Sequence, residues 1–444
     1  MGKAKYKTIV DTFAADIRKG IFPPGTKLPT HRSLAAKHSI ALVTASRIYS
    51  ELEKMGLVSG EAGRGTFVRE AALPFTHGID QKPTIEGMID LNFNSPTLQK
   101  QTEMFRESLR KIASSGDLGA LLHYQPHAGR KHERAIIARH LMRRNINTDS
   151  EHVAIVNGAQ HGLATTVMAL LQPGDVVAAD ALIYPGFKVL AEVNKLELAP
   201  IALLDKGPDL AALEQLCKVR KVKAVYAMPT LHNPMGWVMD IEWRKRLVAI
   251  ARKYKLFIIE DAAYAFHAKN PPPPLVSIAP DITFYVSGIS KSLATGLRVG
   301  FVVAPSKWVA KIERVIRATV WNTPALMTAI TCMWIEDNTI IQLESDKRKD
   351  AAKRQLLARE IFKEFEYISH PLSYFIWLPL PEEVRSDQVV MQLLEANISV
   401  STAEPFATTD HVPHALRVAL GSVKIKALKA ALIQVKQVIN DHAF

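Results

Sequence analysis

The segment ITFYVSGISKSLATGLR, residues 282–298, decides which fold the sequence predicts. Its first five residues are all β-branched or aromatic, which is typical of a buried strand. Most of the residues that follow are small or polar, and they include Lys291 and Arg298. A lysine beyond a strand end is usually a solvated charge, so its meaning depends on the segments around it.

Segments of the same buried-strand character surround this one, with helical stretches between most of them. The strand candidates are His152–Val156, Val176–Ala179, Val222–Ala227, Leu256–Glu260, Ile282–Ser287 and Val299–Val303. This alternation predicts an α/β fold with a mostly parallel sheet, helices on both faces, and a smaller C-terminal lobe after about residue 320. In such sheets, ligands bind beyond the carboxyl ends of the strands.

Several of these strand candidates end in residues suited to binding. Asn157-Gly158-Ala159-Gln160 follows the first and opens a helix, whose free backbone amides can bind an anion such as phosphate. Asn233 and Asp261 follow the third and fourth strands, and Tyr264 comes shortly after Asp261. Each has an ordinary structural explanation when taken alone, such as a tight turn or a helix N-cap. Their order along one sheet is what points to a site.

The N-terminal segment 1–72 has a different pattern. The spacing of the apolar residues predicts an amphipathic helix at 5–21. A second helix is expected after the N-cap residue Thr30, and a third at about 42–55. Two short β segments follow, at 57–59 and 65–68. Three helices and a β-hairpin are the order of a winged helix-turn-helix, whose third helix enters the major groove of DNA. We therefore expect a DNA-binding domain at 1–72, a linker at 73–88 and a second domain at 89–444, with its large lobe at about 115–320 and its small lobe at about 321–444.

The charge agrees with a polyanionic partner. The chain has 56 Lys and Arg against 43 Asp and Glu, a net charge of +13. The segment 1–72 holds 12 of those cations and 6 of the anions, so +6 lies in this short segment and +7 in all the rest of the chain. Such an excess attracts nucleic acid through counterion release.

Composition excludes other classes of protein. With 48% hydrophobic and 22% charged residues, the chain is not intrinsically disordered. It lacks an apolar run near the ~18 residues of a membrane span, and its two cysteines, Cys217 and Cys332, cannot form a disulfide framework or a zinc site. We expect a cytoplasmic protein with neither membrane partner nor metal.

In these motifs, residues 90–444 resemble fold-type I pyridoxal-phosphate (PLP) enzymes of the aminotransferase class. Residues 5–70 are similar to the GntR winged-helix module, notably at Pro24-Gly25-Thr26-Lys27-Leu28-Pro29, Arg32-Ser33-Leu34-Ala35 and Gly63-Arg64-Gly65-Thr66-Phe67-Val68. The two modules in this order resemble the MocR group of bacterial transcription regulators.

The resemblance implies roles for particular residues around pyridoxal 5'-phosphate. Lys291 would form the Schiff base, Asp261 would pair with the pyridine nitrogen, and Tyr184 would stack on the ring. Asn233 and Tyr264 would hydrogen-bond the ring hydroxyl oxygen. The phosphate would be held by Gly158, Ala159, Gln160, Ser290 and Arg298, and by Tyr124 across the subunit boundary of a homodimer. Arg417 would receive the carboxylate of a substrate or effector.

The same resemblance implies a DNA-binding set, and the sequence departs from the family pattern at several positions, among them Met235, where threonine is usual. The DNA-binding residues would be Arg32, Thr44, Ser46, Arg47, Arg64 and Gly65. The arginine that the family often carries early in the third helix is Leu42 here. The phosphate-binding hydroxyl usually found three residues before the lysine is replaced by Gly288, with Ser287 one position earlier.

Together these features predict a PLP-dependent transcriptional regulator. It would bind a double-stranded DNA operator and sense PLP or a small amine or amino acid through an aldimine at Lys291. One alternative is an active aminotransferase with an accessory DNA-binding domain. Another is a DNA-binding protein whose sensor domain no longer binds the cofactor.

Overall fold

A computed structural model describes residues 5–18, 20–23, 25–55, 57–61, 65–68, 87–96, 98, 100–114, 118–204, 207–410 and 412–443. The N-terminal module consists of α1 (Lys5–Arg18), α2 (His31–His38), α3 (Leu42–Lys54), β1 (Val58–Glu61) and β2 (Gly65–Val68). The two strands are antiparallel, and the three helices share an apolar core of their own. Thr30 caps α2, as predicted, because its hydroxyl accepts a 3.2 Å hydrogen bond from the amide of Ser33. The winged helix-turn-helix is thus confirmed in its element order.

The large lobe is built on a seven-stranded sheet. The strands of this part of the chain are β3 (Ile89–Asp90), β4 (Val153–Val156), β5 (Val176–Asp180), β6 (Glu197–Ile201), β7 (Leu203–Leu204), β8 (Gly207–Pro208), β9 (Val222–Ala227), β10 (Phe257–Asp261), β11 (Thr283–Gly288) and β12 (Gly300–Val303). The order in the large sheet is β4-β12-β11-β10-β9-β5-β6. Only β12 runs antiparallel to its neighbours, so the prediction of a mostly parallel sheet is confirmed.

Helices cover both faces of this sheet. They are α4 (Gln101–Ala113), α5 (Lys131–Met142), α6 (Gly158–Leu170), α7 (Pro185–Val193), α8 (Leu210–Val219), α9 (Ile241–Tyr254), α10 (Leu275–Ile278), α11 (Ser306–Thr319) and α12 (Ala325–Glu336). One face is packed against α6, α7 and α11, and the other against α5, α8, α9, α10 and α12. Because both faces are covered, the central strands are largely buried and mostly apolar, which is why the sequence revealed them.

The strand β6 was not predicted. Unlike the central strands, it alternates exposed and buried residues, beginning with the exposed Glu197 and carrying Pro200. Proline cannot donate to a ladder and is tolerated at a sheet edge, which is where β6 lies. The sequence signal for a buried strand is therefore missing at this position.

The small lobe has its own sheet and core. Its elements are α13 (Thr339–Ile361), β13 (Phe375–Pro379), α14 (Ser386–Glu395), β14 (Ile398–Ser399), β15 (Ser401–Thr402), β16 (Ala415–Ala419) and α15 (Ile425–Ala443). The three strands β13, β16 and β15 form an antiparallel sheet, and β14 pairs with β3. The segment that follows the predicted linker therefore begins inside the small lobe and then crosses to the large one.

The helix α13 is attached to both lobes. The buried ammonium of Lys347 donates hydrogen bonds to the carbonyls of Lys291 (3.1 Å) and Leu293 (2.7 Å) in the large lobe. Seven residues later, Arg354 donates to the carbonyls of Leu420 (2.6 Å) and Val423 (2.7 Å) in the small lobe. Within the described ranges, no helix is both long and apolar enough to cross a bilayer.

Candidate functional site

A cavity of about 590 Å³ lies at the carboxyl ends of the sheet strands, between the two lobes. The predicted residues that line it are Ala159, Gln160, Tyr184, Asn233, Asp261, Tyr264, Ser290, Lys291, Arg298 and Arg417. They come from segments far apart in the chain, from Ala159 to Arg417. The structure thus brings most of the predicted cofactor and effector residues into one cavity.

Lys291 lies in the turn after β11 and points into this cavity. Its ammonium donates a 2.8 Å hydrogen bond to the carbonyl of Asn94. Behind it, burial and the nearby charge of Lys291 lower the pKa of Lys347 to about 7. The loop that carries Lys291 is therefore hydrogen-bonded to the buried Lys347, while the Lys291 amine lines the cavity.

Asp261 is the last residue of β10, and its carboxylate is buried at the floor of the cavity. The hydroxyl of Tyr226 donates to Oδ2 (2.8 Å), and the amide of Ala263 donates to Oδ1 (3.0 Å). Burial raises the pKa of this carboxyl group, and the hydrogen bond from Tyr226 opposes the shift. A buried carboxylate of this kind is stabilised by a cationic partner, such as a protonated ring nitrogen.

The predicted phosphate-binding residues meet where α6 begins. Gly158 has φ +83°, and a Cβ there would lie 2.9 Å from a guanidinium nitrogen of Arg298. A Cβ on Gly300 would lie 2.7 Å from the backbone of Gly158, so this close approach requires glycine. The amides at the helix start, together with the arginine, form a cradle whose groups have the chemistry to hold an anion.

The missing hydroxyl before the lysine is not replaced by its neighbour. Ser287 is buried and donates a 3.1 Å hydrogen bond to the carbonyl of Ala262, away from the cradle. A Cβ on Gly288 would lie 3.1 Å from the amide nitrogen of Ala159. The close packing of β11 against α6 explains the glycine, and Ser290 is left as the hydroxyl of the cradle.

Arg417 lies on β16 and closes the cavity from the small lobe. It donates hydrogen bonds to the carbonyl of Asn92 and to the hydroxyl of Tyr264, and its guanidinium lies 4.8 Å from the ring centroid of Phe375. The burial of the guanidinium lowers its pKa. Its Nε has no hydrogen-bond partner, so a donor remains for a carboxylate.

Several buried polar atoms around the cavity lack a hydrogen-bond partner, and a phosphorylated aromatic cofactor could supply one. Buried polar atoms without a partner here are Asn94 Nδ2, Gln160 Oε1, Asn233 Oδ1 and Ser290 Oγ. Buried polar groups are rarely left unpaired in folded proteins, so such a group of them indicates a ligand. The tyrosine Tyr184, at the start of α7, supplies an aromatic wall.

One predicted cofactor residue lies elsewhere. Tyr124 is 85% exposed, outside the cavity, with its ring centroid 5.5 Å from that of Trp321. Conversely, Asn92, Asn94 and Ser95 line the cavity but were not predicted. They follow β3 in an extended segment without periodicity, so their polar composition was the only signal, and it is also typical of an ordinary loop.

The predicted DNA-binding residues lie on the N-terminal module. Arg32, Ser46 and Arg47 are exposed, Thr44 is half-buried, and Arg64 lies outside the described residues. Gly65 has φ +122°, and a Cβ there would lie 2.8 Å from Cε of Lys27. These residues therefore surround α3 and the described part of the wing.

Ion pairs join this module to the small lobe. The buried Arg385, which precedes α14, places Nη1 2.5 Å from Asp11 on α1 and Nε 3.5 Å from Glu51 on α3. His414, three residues before Arg417, places Nε2 3.5 Å from the same Asp11. We call Arg385, Asp11, Glu51 and His414 the interdomain cluster. It connects the recognition helix with the strand that carries Arg417.

Sequence comparisons agree with this two-module architecture. The profile of the family "Aminotransferase class I and II" matches residues 86–433, and that of "Bacterial regulatory proteins, gntR family" matches residues 5–68. The chain is 30% identical to the HTH-type transcriptional regulator YdeF of Bacillus subtilis, over 99% of this chain and 95% of the relative. It is 24% identical to the HTH-type transcriptional regulator YjiR of Escherichia coli, over 98% of both chains.

A solved aminotransferase shares the fold of the second module. The α-aminoadipate aminotransferase LysN of Thermus thermophilus, complexed with N-(5'-phosphopyridoxyl)-L-leucine, superimposes with a TM-score of 0.74 at 23% identity. The match covers 82% of this chain and 96% of that one. The fold-type I architecture is therefore confirmed.

Proposed function

Because this chain belongs to the aminotransferase class I and II family and begins with a gntR-family module, we propose that it is a PLP-dependent, DNA-binding transcriptional regulator of the MocR group. Its second module would sense PLP itself or a small amine or amino acid. It would act in the cytoplasm on a double-stranded operator.

The observation that carries this proposal is the convergence of Lys291, Asp261 and Arg298 around buried polar atoms that lack partners. Bound PLP would supply an electrophilic carbonyl and an electron-withdrawing ring. Asp261 would hold the proton on the ring nitrogen. The amides at the start of α6, with Ser290 and Arg298, would hold the phosphate. Lys291 would present its amine, and Arg417 would orient an effector carboxylate.

The interdomain cluster supports a coupling between effector and DNA. His414 directly precedes β16 and Arg417 is the middle residue of that strand, and His414 contacts the ion pair between Arg385 and Asp11. Arg385 also reaches Glu51 on the recognition helix. An effector that draws Arg417 to a new position would favour one arrangement of the DNA-binding module, to the extent that it binds the two arrangements with different affinities.

A gel-shift titration tests this function directly. Full-length protein with PLP would be titrated onto DNA from upstream of its own gene, at moderate salt and with excess nonspecific DNA. We expect specific retardation, and an amine effector that produces a new absorbance band should change the DNA affinity. The absence of specific retardation with every PLP and effector condition would refute the proposal.

A homodimer would complete the phosphate site. The exposed ring of Tyr124, paired with Trp321, would reach the cradle of a partner subunit, and a two-fold dimer would match a repeated or palindromic operator. Sedimentation velocity should show a dimer. Tyr124→Phe should weaken PLP retention, because it removes the hydroxyl that would contact the phosphate and keeps the ring.

The enzyme alternative is supported by the same cavity. Lys291 and Arg417 together provide what an amino acid substrate would need. Sustained, multiple-turnover formation of keto acid from an amino acid panel would favour an active aminotransferase. A single stoichiometric conversion, or none, would favour the regulator.

A further inference from the structure

The recognition helix α3 begins with two exposed aliphatic side chains. Leu42 and Val43 are its first two residues, and they are 48% and 81% exposed. Later aliphatic residues on the same helix, Ile48 and Leu52, are packed in the core of the module. Single exposed apolar residues are common on protein surfaces. What makes this pair informative is its position, because the N-terminal residues of a recognition helix meet base edges in the major groove.

The polar residues nearby offer few competing contacts to bases. Arg47, one turn after Val43, places its guanidinium 4.5 Å from the ring centroid of Tyr6 and 3.8 Å from Glu51. These contacts orient its guanidinium, and because the side chain is 63% exposed it can still reach a DNA phosphate. Of the two small polar side chains on this part of the helix, Thr44 is half-buried and Ser46 is exposed. The start of α3 thus presents mainly carbon atoms where the family often carries an arginine.

One group in the major groove matches such a surface. The C5 methyl of thymine is the apolar feature that distinguishes one base pair from another there, and aliphatic side chains recognise it by contact. Exposed cations on α2, namely Arg32 and Lys37, and Lys27 beside the wing strand β2 would meet the phosphates around this surface. The charge and the apolar patch together favour DNA, rather than a protein, as the occupant of this face.

We propose that Leu42 and Val43 select thymine by contacting its methyl group, so that each operator half-site carries thymine beneath the start of α3. This inference rests on the proposed DNA-binding function. It names which side chains set sequence preference where the family's arginine is missing.

The test replaces thymine by deoxyuridine, which removes the methyl and keeps every hydrogen-bonding group. Full-length protein with PLP would be titrated onto its own upstream operator, located by footprinting, with each thymine replaced in turn. At one or two positions per half-site we expect affinity to fall about fourfold, the value for one buried methyl group. Val43→Ala and Leu42→Ala should each bind more weakly and lose the sensitivity to deoxyuridine at one of those positions.

A matched control variant is Val219→Ala, which truncates a similarly exposed valine on α8, outside the N-terminal module. It should keep the full deoxyuridine effect. Specific binding that is indifferent to deoxyuridine at every position would overturn this inference and leave the proposed function intact. Retention of the effect in both Leu42→Ala and Val43→Ala would also overturn it. Absence of specific binding to DNA would overturn the inference and the proposed function together.

Discussion

The cavity around Lys291 and the outer face of α3 differ in what fixes their side chains. In the cavity, Asp261 and Arg417 are buried; Asp261 accepts hydrogen bonds from Tyr226 and Ala263, and Arg417 donates one to Asn92. On α3, Val43 and Ser46 are exposed, and packing does not constrain them. A buried site tolerates little change, so its residues follow a family pattern. An exposed reading face can change one side chain at a time, and that is how a new DNA sequence preference can arise.

The largest effect should come from Lys291→Ala. Because the amine of Lys291 lines the cavity, removing this side chain should abolish the visible absorbance band of lysine-bound PLP. The matched control Lys307→Ala removes an exposed lysine on α11 and should keep the band. An unchanged spectrum in Lys291→Ala would show that PLP does not bind to Lys291 in this cavity.

Arg417→Ala should act on the effector and spare the cofactor. A hydrogen-bonded pair with a charged group contributes about 1.5–3 kcal/mol, so affinity for a carboxylate-bearing amine should fall roughly 10- to 100-fold. Spectral titration would measure it. An amine that lacks a carboxylate provides the control and should bind both proteins alike. Equal losses for the two ligands would contradict the assigned role.

A pH experiment tests burial against exposure. Burial, followed by the charges of Arg144 and Arg143, lowers the pKa of His140 from 6.5 to about 3. Between these values the unfolded chain binds a proton that the folded chain does not, so the free energy of unfolding falls as the pH falls. Between pH 7 and pH 5 this histidine alone costs about 2 kcal/mol.

His140→Gln should therefore lose less stability than the wild type between pH 7 and pH 5, as measured by urea unfolding at both values. His152→Gln is the matched control, since His152 lies at the surface beside Asp149. A pH dependence in His140→Gln as steep as that of the wild type would count against the burial argument.

The smallest effect should come from the interdomain cluster. Arg385→Met keeps most of the side-chain volume and removes the charge between Asp11 and Glu51. The effector-dependent change in DNA affinity should shrink several-fold, a typical size for coupling between sites, with the PLP spectrum unchanged. Arg252→Met, which breaks an exposed pair with Asp281, should leave the coupling intact. Undiminished coupling in Arg385→Met would mean that the two regions communicate by another route.

The sequence was most informative where burial left a strong pattern. Six strands were found because both faces of the sheet are covered, and their polar ends then gave Asp261, Asn233 and Lys291. The strand β6 was missed because it mixes exposed and buried residues, unlike the opposite edge strand β4, which is buried along its whole length. Asn92 and Asn94 were missed because long-range contacts, such as the pairing of β3 with β14, bring their segment to the cavity.

Surface residues were harder to assign for a related reason. Spacing placed Arg47 on the recognition helix, but it could not show that Tyr6 and Glu51 engage its guanidinium. Nor could it show that Arg385 joins the two modules, because its partners in the N-terminal module lie near the opposite end of the chain. Long-range ion pairs leave no periodic signal, and they are visible only in the folded molecule.

The helix α13 connects the two lobes as one continuous rod. It is 23 residues long, about 35 Å, and its attachments at Lys347 and Arg354 lie about 10 Å apart along the axis. A small displacement of the loop that carries Lys291 would turn this rod, and the small lobe is fastened to it. Because Arg385 belongs to the small lobe, a tilt of this helix would also disturb the ion pairs that join that lobe to the N-terminal module.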